Sequence, residues 1–432
     1  MSVSSGAFGS GSDPAFAGVS AHPSHQLYHL SKYLLGPMVA LWMVSGGFVI
    51  IEPSPYELVF LLVLPFAYFG GMGIHRKTLG IFQLLVLFLP FALIGAFQVS
   101  HMTVLSGIIY VMVTAFLWFT AYFAANYIAD DPQKRLGGMM RAYTGVAVFI
   151  SVIGTLAYLD VIPGAEIFLL YDRVKATFQD PNVFGPFLII PAAFALQRLL
   201  LDKGARALWA GAIFGILFVG VFVSFSRAAW GYLIFSSAFV FVAVFLFESN
   251  NRDRSRMIGL MLIGIAVLIV AIIGLLSIES VRDLFLQRFS LNQTYDSGST
   301  GRFARQTYAL ELAIAHPFGI GPLEFRNMRI IEEPHNTYVK ALLSYGWMGG
   351  LAYFALVWMT LKRGFSALKI ASPNRLLMIP LVACFIPLVL ESAIIDTDHW
   401  RHFFLLVGMI WGVNAGYHRT NDAQKTRRGM LI

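Results

Sequence analysis

Long apolar runs separated by short basic loops dominate the hydrophobic pattern of this chain. With about 20 apolar residues taken as one bilayer crossing, runs of that length fall near 31–51, 56–74, 79–99, 104–128, 142–160, 183–201, 207–225, 229–247, 258–278, 337–361, 376–395 and 403–418. The pattern predicts an all-α integral membrane protein of about 12 transmembrane helices. Two stretches, 161–182 and 279–336, are too polar to span and too long for simple turns. In the second, Thr300 is a predicted cap for a helix on RFARQTYALELAIA, with Pro317 just past its end. Arg302 and Arg305 then share a face at a three-residue spacing. Gly319-Ile320-Gly321-Pro322 reads as a turn, followed by a short helix that ends before Pro334, with Asn336 or Thr337 as N-cap of the tenth span. No internal repeat is visible.

Charge fixes the orientation. Alternate loops carry Arg76-Lys77, Lys134-Arg135-Arg141, Lys203-Arg206, Arg252/Arg254/Arg256 and Lys362-Arg363-Lys369-Arg375, and the tail carries Arg419 to Arg428. An excess of Lys and Arg in short loops marks the cytoplasmic side. Twelve spans place all these loops inside and both termini in the cytoplasm. The expected organisation is a disordered cytoplasmic tail over 1–24, spans one to nine over 25–278 with an outer loop at 161–182, a helical periplasmic loop over 279–336, spans ten to twelve over 337–418, and a basic cytoplasmic tail over 419–432. Residues 1–24 lack the basic and apolar regions of a cleaved signal.

Composition agrees. Of 432 residues, 57% are hydrophobic and 12% charged, with mean hydropathy +0.70, against roughly one half and one quarter in soluble domains. The net charge of +8 sits mostly in short loops and the tail, where topology explains it, so nucleic acid is rejected as a partner. The single cysteine, Cys384, excludes an intrachain disulfide framework and a thiol metal cluster.

The outer side is expected to be poor in cations, yet it holds Arg173, Lys175, Arg227, Arg302, Arg305, Arg326 and Arg329. Four groups gather there: Arg173 with Asp180-Pro181-Asn182, Ser226-Arg227, Thr300-Gly301-Arg302, and His335-Asn336. Guanidinium forks at helix ends beside the bilayer suit phosphate oxygens, and a lipid-linked diphosphate presents its anion at that depth. Snorkelling remains an alternative for Arg227, as does headgroup anchoring for Arg173 and Lys175 beside Tyr171 and Phe178. His335 is the sharpest candidate base, because a neutral imidazole accepts a hydroxyl proton near pH 7; helix capping is the competing reading. His316 and the run Asp396-Thr397-Asp398-His399-Trp400-Arg401-His402 compete with it. That run matches no zinc spacing, and pairing of Asp396 or Asp398 with an active-site arginine explains it more simply. The spans read as nearly free of buried charge except Glu391, expected to pair with an arginine.

The strings RVKATFQDPNVFG at 173–185, FSRAAWGY at 225–232, STGR at 299–302, HPFGIGP at 316–322 and HNTYVKALLSYGWMGG at 335–350 resemble, in order, spacing and sidedness, the bacterial O-antigen ligase and O-antigen polymerase superfamily of membrane glycosyltransferases. The resemblance implies a GT-C-like fold in the bacterial inner membrane. It implies cofactor-free, metal-independent and inverting transfer of a glycan from undecaprenyl diphosphate to an acceptor hydroxyl at the periplasmic face. His335 would be the base, and Arg227 and Arg302 would engage the diphosphate, with Arg173 and Arg305 as further contacts. Asn336, Asn182, Asp180, Ser226 and Asp398 would support them. Relatives often carry an acidic residue near Ser344, so no carboxylate is assigned here to orient the base. A lipid A-core acceptor makes a ligase; another lipid-linked repeat makes a polymerase of O-antigen or exopolysaccharide. The rival from another class is a polytopic transporter or lipid-linked glycan flippase, which usually shows repeat symmetry and midplane coupling groups.

Overall fold

The computed structural model describes residues 25–289, 301–328 and 332–429, excluding the side chains of 280, 289 and 417–429. The tail expected over 1–24 lies outside the described residues, as do Thr300 and Arg329.

A helix occupies each of the twelve predicted spans. The first five are α1 (His25–Ser45), α2 (Pro55–Phe69), α3 (Leu79–Ala96), α4 (Val104–Asp130) and α5 (Pro132–Tyr158). A loop with a two-residue hairpin, β1 (Leu169–Leu170) and β2 (Arg173–Val174), leads to α6 (Pro181–Leu201), α7 (Ala205–Val223), α8 (Arg227–Phe247) and α9 (Asn251–Leu276). The long polar segment contributes α10 (Glu279–Phe289) and α11 (Arg302–Ala315) before α12 (Thr337–Leu368), α13 (Pro373–Glu391) and α14 (Arg401–Gly429). Among the described residues nine helices, α3 to α9 with α12 and α13, are long and apolar enough to cross a membrane, and α2 is a shorter apolar helix. The chain is an all-α integral membrane protein.

Local chemistry sets the helix ends. Ser54 and Glu57 close a capping box on α2, with Pro55 in its first turn, satisfying donors that the helix cannot use itself. Asp180 caps α6 and Asn336 caps α12. At α11 the N-cap position belongs to Gly301, and a single 3-10 turn, Phe325–Asn327, stands where a short helix was expected.

Contacts sort the connections into two ends. At one, Arg135 pairs with Asp130, Lys203 with Asp253 and Arg375 with Glu248, while Gln133 donates to the Pro373 carbonyl. At the other, Val49 donates to Thr177, Arg401 pairs with Glu52 and Glu57, and Thr337 donates to Ser392. Alternate connections therefore gather as the charge pattern predicts. At the second, loop-rich end the buried carboxylate of Glu324 accepts from the amides of Ser100, His101 and Met102 and from the Ser100 hydroxyl. Burial alone would raise this carboxyl, but the hydrogen bonds outweigh it and hold it at about 2, tying the α3–α4 turn to the segment after α11.

The tenth span is broken. Gly346 inside α12 has φ 70° and ψ 177°, and the chain at 316–321 enters the gap. Trp347 donates to the Pro317 carbonyl, and the Leu343 carbonyl accepts from Ile320 and Gly321, so the groups released by the break are re-satisfied, as a non-aqueous setting requires. A Cβ on Gly346 would lie 2.8 Å from the Pro317 carbonyl oxygen. Gly346→Ala is expected to destabilise the protein by about 1–3 kcal/mol through strain alone, lowering the thermal midpoint of the detergent-purified protein; an unchanged midpoint would refute the interlock.

Candidate active site

The predicted site residues fall into two groups at the loop-rich end. In the first, Tyr171 and Asp172 form a two-residue turn with φ of 51° and 57°, the geometry that suits a tight hairpin, and β2 presents Arg173 inward. Its guanidinium is buried, donating through Nε to the Ser224 carbonyl (3.0 Å) and through Nη2 to Asn182 Oδ1 (2.8 Å). Asp180 accepts from the Asn182 amide at 2.7 Å. Burial lowers Arg173 to about 10, with the charges of Arg288 and Arg227 pushing the same way and Asp180 opposing. Three guanidiniums therefore act on one another here. Arg288, on α10, was not anticipated from the sequence.

Two of these residues are engaged by the protein itself. Ser226 is buried and accepts from the Ala229 amide as the cap of α8, so its hydroxyl serves the helix terminus. Arg173 is held by protein acceptors on two sides, which makes it part of the framework behind Arg227, a half-buried residue opening α8.

His335 centres the second group. It has φ 52°, an uncommon backbone state for a residue with a Cβ, and its carbonyl accepts from Gln306 of α11 at 2.9 Å. Its Nδ1 lies 3.5 Å from Asp396 Oδ2, and its Nε2 lies 3.9 Å from Glu332 Oε2. Burial lowers the imidazole to about 4, and the charges of Arg305, Arg302 and Lys340 lower it further in that order. The ring is consequently neutral at pH 7. Arg302 is half-buried at the start of α11, whereas Arg305, one turn on, is 2% exposed and paired with Glu332. The Arg305 fork is therefore enclosed and matched to a carboxylate, while that of Arg302 is less enclosed.

Beside the histidine lies a network whose carboxylates the sequence singled out and whose lysine and tyrosine it did not. The Lys340 ammonium sits 3.3 Å from Asp398 Oδ1 and 3.9 Å from Asp396 Oδ2. Tyr110 of α4 donates to Asp398 Oδ2 at 2.6 Å. The two carboxyls are driven apart. Burial, with repulsion from Asp398 and Glu333, raises Asp396 to about 7 against the pull of Lys340. Burial also opposes ionisation of Asp398, but Lys340, His399 and the hydrogen bonds from Tyr110 and Lys340 outweigh it and hold that group below its ordinary value. Environments that split a carboxyl pair in this way are a mark of proton-handling sites.

Asp396 and Asp398 thus pair with a lysine and a histidine, where an arginine was expected. Lys340 also corrects the reading that Glu391 is the main buried charge of the spans; a lysine five residues after His335 in an apolar run was the available signal. Glu391 itself is buried, and among the described residues neither of its carboxylate oxygens has a hydrogen-bond partner, an arginine included. His399 contacts Thr114 at 2.7 Å, while His402 packs by Trp400; with Asp398 on Lys340, the three side chains of the run do not converge. His316 contacts the Leu312 carbonyl at the end of α11. Asn336 spends its Oδ1 on the amides of Tyr338 and Val339, so it caps α12 and thereby fixes the residue before it.

Residues 212–354 match the family model described as O-antigen ligase. The match covers about a third of the chain and supports a likeness to the O-antigen ligase and polymerase superfamily. This is a glycosyltransferase-like membrane family of polysaccharide assembly. The matched segment contains Arg227, Arg302, Arg305, His335 and Lys340, and excludes Arg173, Asn182, Asp396 and Asp398. No curated protein matches the chain.

A nearby cation disfavours the imidazolium, so its removal must raise the histidine. Arg305→Met is expected to shift His335 from about 4 upward, still below the ordinary value of about 6.5 because burial remains. Histidine-selective ¹⁵N NMR in nanodiscs measures this, and a downward or absent shift would contradict the arrangement.

Proposed function

We propose that the chain transfers a glycan from undecaprenyl diphosphate to an acceptor hydroxyl at the periplasmic face, with lipid A-core as acceptor in an O-antigen ligase reaction. The observation that carries the reading is the neutral His335 imidazole, backed through Nδ1 by Asp396 and flanked by Arg302 and Arg305. The loop-rich end is then the periplasmic one, opposite the end that gathers the short basic loops, and twelve spans return both termini to the cytoplasm.

The acceptor hydroxyl gives its proton to His335 Nε2 as its oxygen attacks the anomeric carbon. The bond from that carbon to the diphosphate oxygen breaks, and its electron pair leaves with the lipid diphosphate. Attack opposite the departing group inverts the anomeric centre. Arg302 and Arg227 meet the developing charge with fixed donors, the electrostatic contribution that is usually largest. Their charge performs the neutralisation that a metal provides elsewhere. Arg305, paired with Glu332, adds positive charge beside the imidazole, and Arg173, held by Asn182 and the Ser224 carbonyl, adds it beside Arg227. Asp396, once ionised, accepts from Nδ1–H and stabilises the imidazolium that forms, as the carboxylate partner of a catalytic histidine does. It fills the role left open by Ser344, from a different segment of chain. A polymerase uses the same chemistry with a second lipid-linked repeat as acceptor.

His335→Ala is expected to lower transfer by at least about a hundredfold in a reconstituted assay while lipid-donor binding persists; full turnover would exclude the base. Offering lipid A-core and a second lipid-linked repeat in competition shows which is extended. The pH profile tests the partner. Asp396 protonates as pH falls through about 7, so the rate should fall in the same range. Asp396→Asn should retain a low rate without that inflection, and an inflection that survives the substitution would remove Asp396 from the mechanism.

A further inference from the structure

Arg288 of α10 stands where helix periodicity calls for an apolar residue. Val281, Leu284, Phe285 and Arg288 follow the three- and four-residue spacing of one helix face. Val281 is fully buried, Leu284 and Phe285 pack against the core, and the Phe285 ring lies 5.5 Å from that of Trp230 and 6.0 Å from that of Phe222. Those two rings flank the α7–α8 turn, whose Ser224 carbonyl holds Arg173 and whose end carries Arg227. One turn beyond Phe285, the half-buried Arg288 extends the packed stripe beside them.

The acidic residues of α10 do not neutralise it. Glu279 and Asp283 are exposed and lie beside Arg282 on the outer face. Among the described residues Arg288 has neither ion pair nor hydrogen bond, and its Nε is enclosed without a partner. Its charge acts on Arg173 more strongly than those of Asp180 and Arg227. Three guanidiniums thus gather about one carboxylate, whose Oδ1 already accepts from the Asn182 amide. Like charges held together away from bulk water are costly until an anion joins them.

Of the Arg288 nitrogens only Nε is enclosed, which leaves the terminal pair open to phosphate oxygens in a forked contact. A phosphodiester headgroup offers a single phosphate to such a cluster. A lipid diphosphate offers linked phosphates, and its charge grows as the glycosyl bond breaks, so a further guanidinium favours the departing group over the bound donor. We infer that Arg288 is a binding residue for the diphosphate of the lipid-linked donor, reaching it from α10 beside Arg227. The inference rests on the glycan-transfer reading and deepens it, because it brings the polar segment after α9 into the donor site.

Calorimetric titration of farnesyl diphosphate into the full chain in phosphatidylcholine nanodiscs tests it. Farnesyl diphosphate should bind, and Arg288→Gln should weaken it by about tenfold or more, the scale of a lost charge-assisted contact. Arg288→Lys should recover only part, since a point charge does not replace the fork. Arg288→Leu should lose the same affinity yet keep the thermal midpoint, because leucine completes the apolar stripe; a residue that only seats α10 would lower the midpoint and leave affinity alone. With undecaprenyl-diphosphate glycan as donor, Arg288→Gln should lower kcat as well as kcat/KM, as loss of a contact that strengthens in the transition state does. Binding should persist in His335→Ala, which keeps this result separate from the fate of the proposed base. Affinity untouched by all three Arg288 substitutions overturns the inference and leaves the transfer reading standing. If phosphatidylglycerol nanodiscs abolish the difference between the unsubstituted chain and Arg288→Gln, the ligand is a headgroup and the inference fails. No binding of farnesyl diphosphate by the unsubstituted chain overturns it together with the donor assignment.

Discussion

An ammonium shut away from water needs negative charge within a few ångströms, and the architecture of the loop-rich end follows from how Lys340 obtains it. Removal of each ion from water costs on the order of several kcal/mol, so Lys340 in the first turn of α12 draws the 392–400 segment against itself through Asp396 and Asp398. Tyr110 closes the arrangement from α4, donating to Asp398 and placing its ring 5.6 Å from the ammonium. Two helices and the connection between α13 and α14 are thereby registered at one point. One ammonium cannot fully compensate two carboxylates, and the shortfall appears as the raised Asp396, which faces His335.

The same end depends on a second constraint, the break in α12. A continuous helix would fill the space that residues 316–321 occupy, and α11 would have no seat. Because Gly346 takes a positive φ and Leu343 offers its carbonyl outward, the turn after α11 docks into the helix. Gly319, itself at φ 80°, approaches so closely that a Cβ would lie 2.4 Å from the Leu343 oxygen. With α11 seated, Gln306 reaches the His335 carbonyl, and Arg302 and Arg305 act on the imidazole. The motifs at 316–322 and 335–350 are thus two halves of one joint. Around it, the arginines divide by enclosure: Arg173 and Arg305 are buried against protein acceptors, while Arg227 and Arg302 open α8 and α11 half-buried.

Much of this was legible before folding. Apolar run length fixes where helices lie, because a bilayer allows few alternatives to a satisfied helix, and a helix was found at each predicted run. The alternation of basic loops separated two ends that the contacts reproduce. Arg302 and Arg305 were read to one face from spacing, and Asn336 was one of two residues named as the cap of the tenth span. His335 drew attention as a lone imidazole at a span mouth among cations. Each of these is local, depending on neighbours within a turn or on the solvent the segment must face.

What lay beyond reach involved partners distant in sequence. Lys340 meets residues 56 and 58 positions away, Glu324 is held by the turn at 100–102, and the His402 ring packs by Phe187 of α6. Hydropathy records that a lysine or an aspartate is costly to bury, but it does not record which opposite charge will arrive. The sequence by itself determined the membrane class, the places of the helices, the sidedness of charge and the residue types available for chemistry, since these follow from transfer between water and lipid one segment at a time. Only the tertiary structure decided which carboxylate backs His335, which arginines are enclosed and where α12 breaks, because those outcomes depend on distances of a few ångströms between segments that share no local signal.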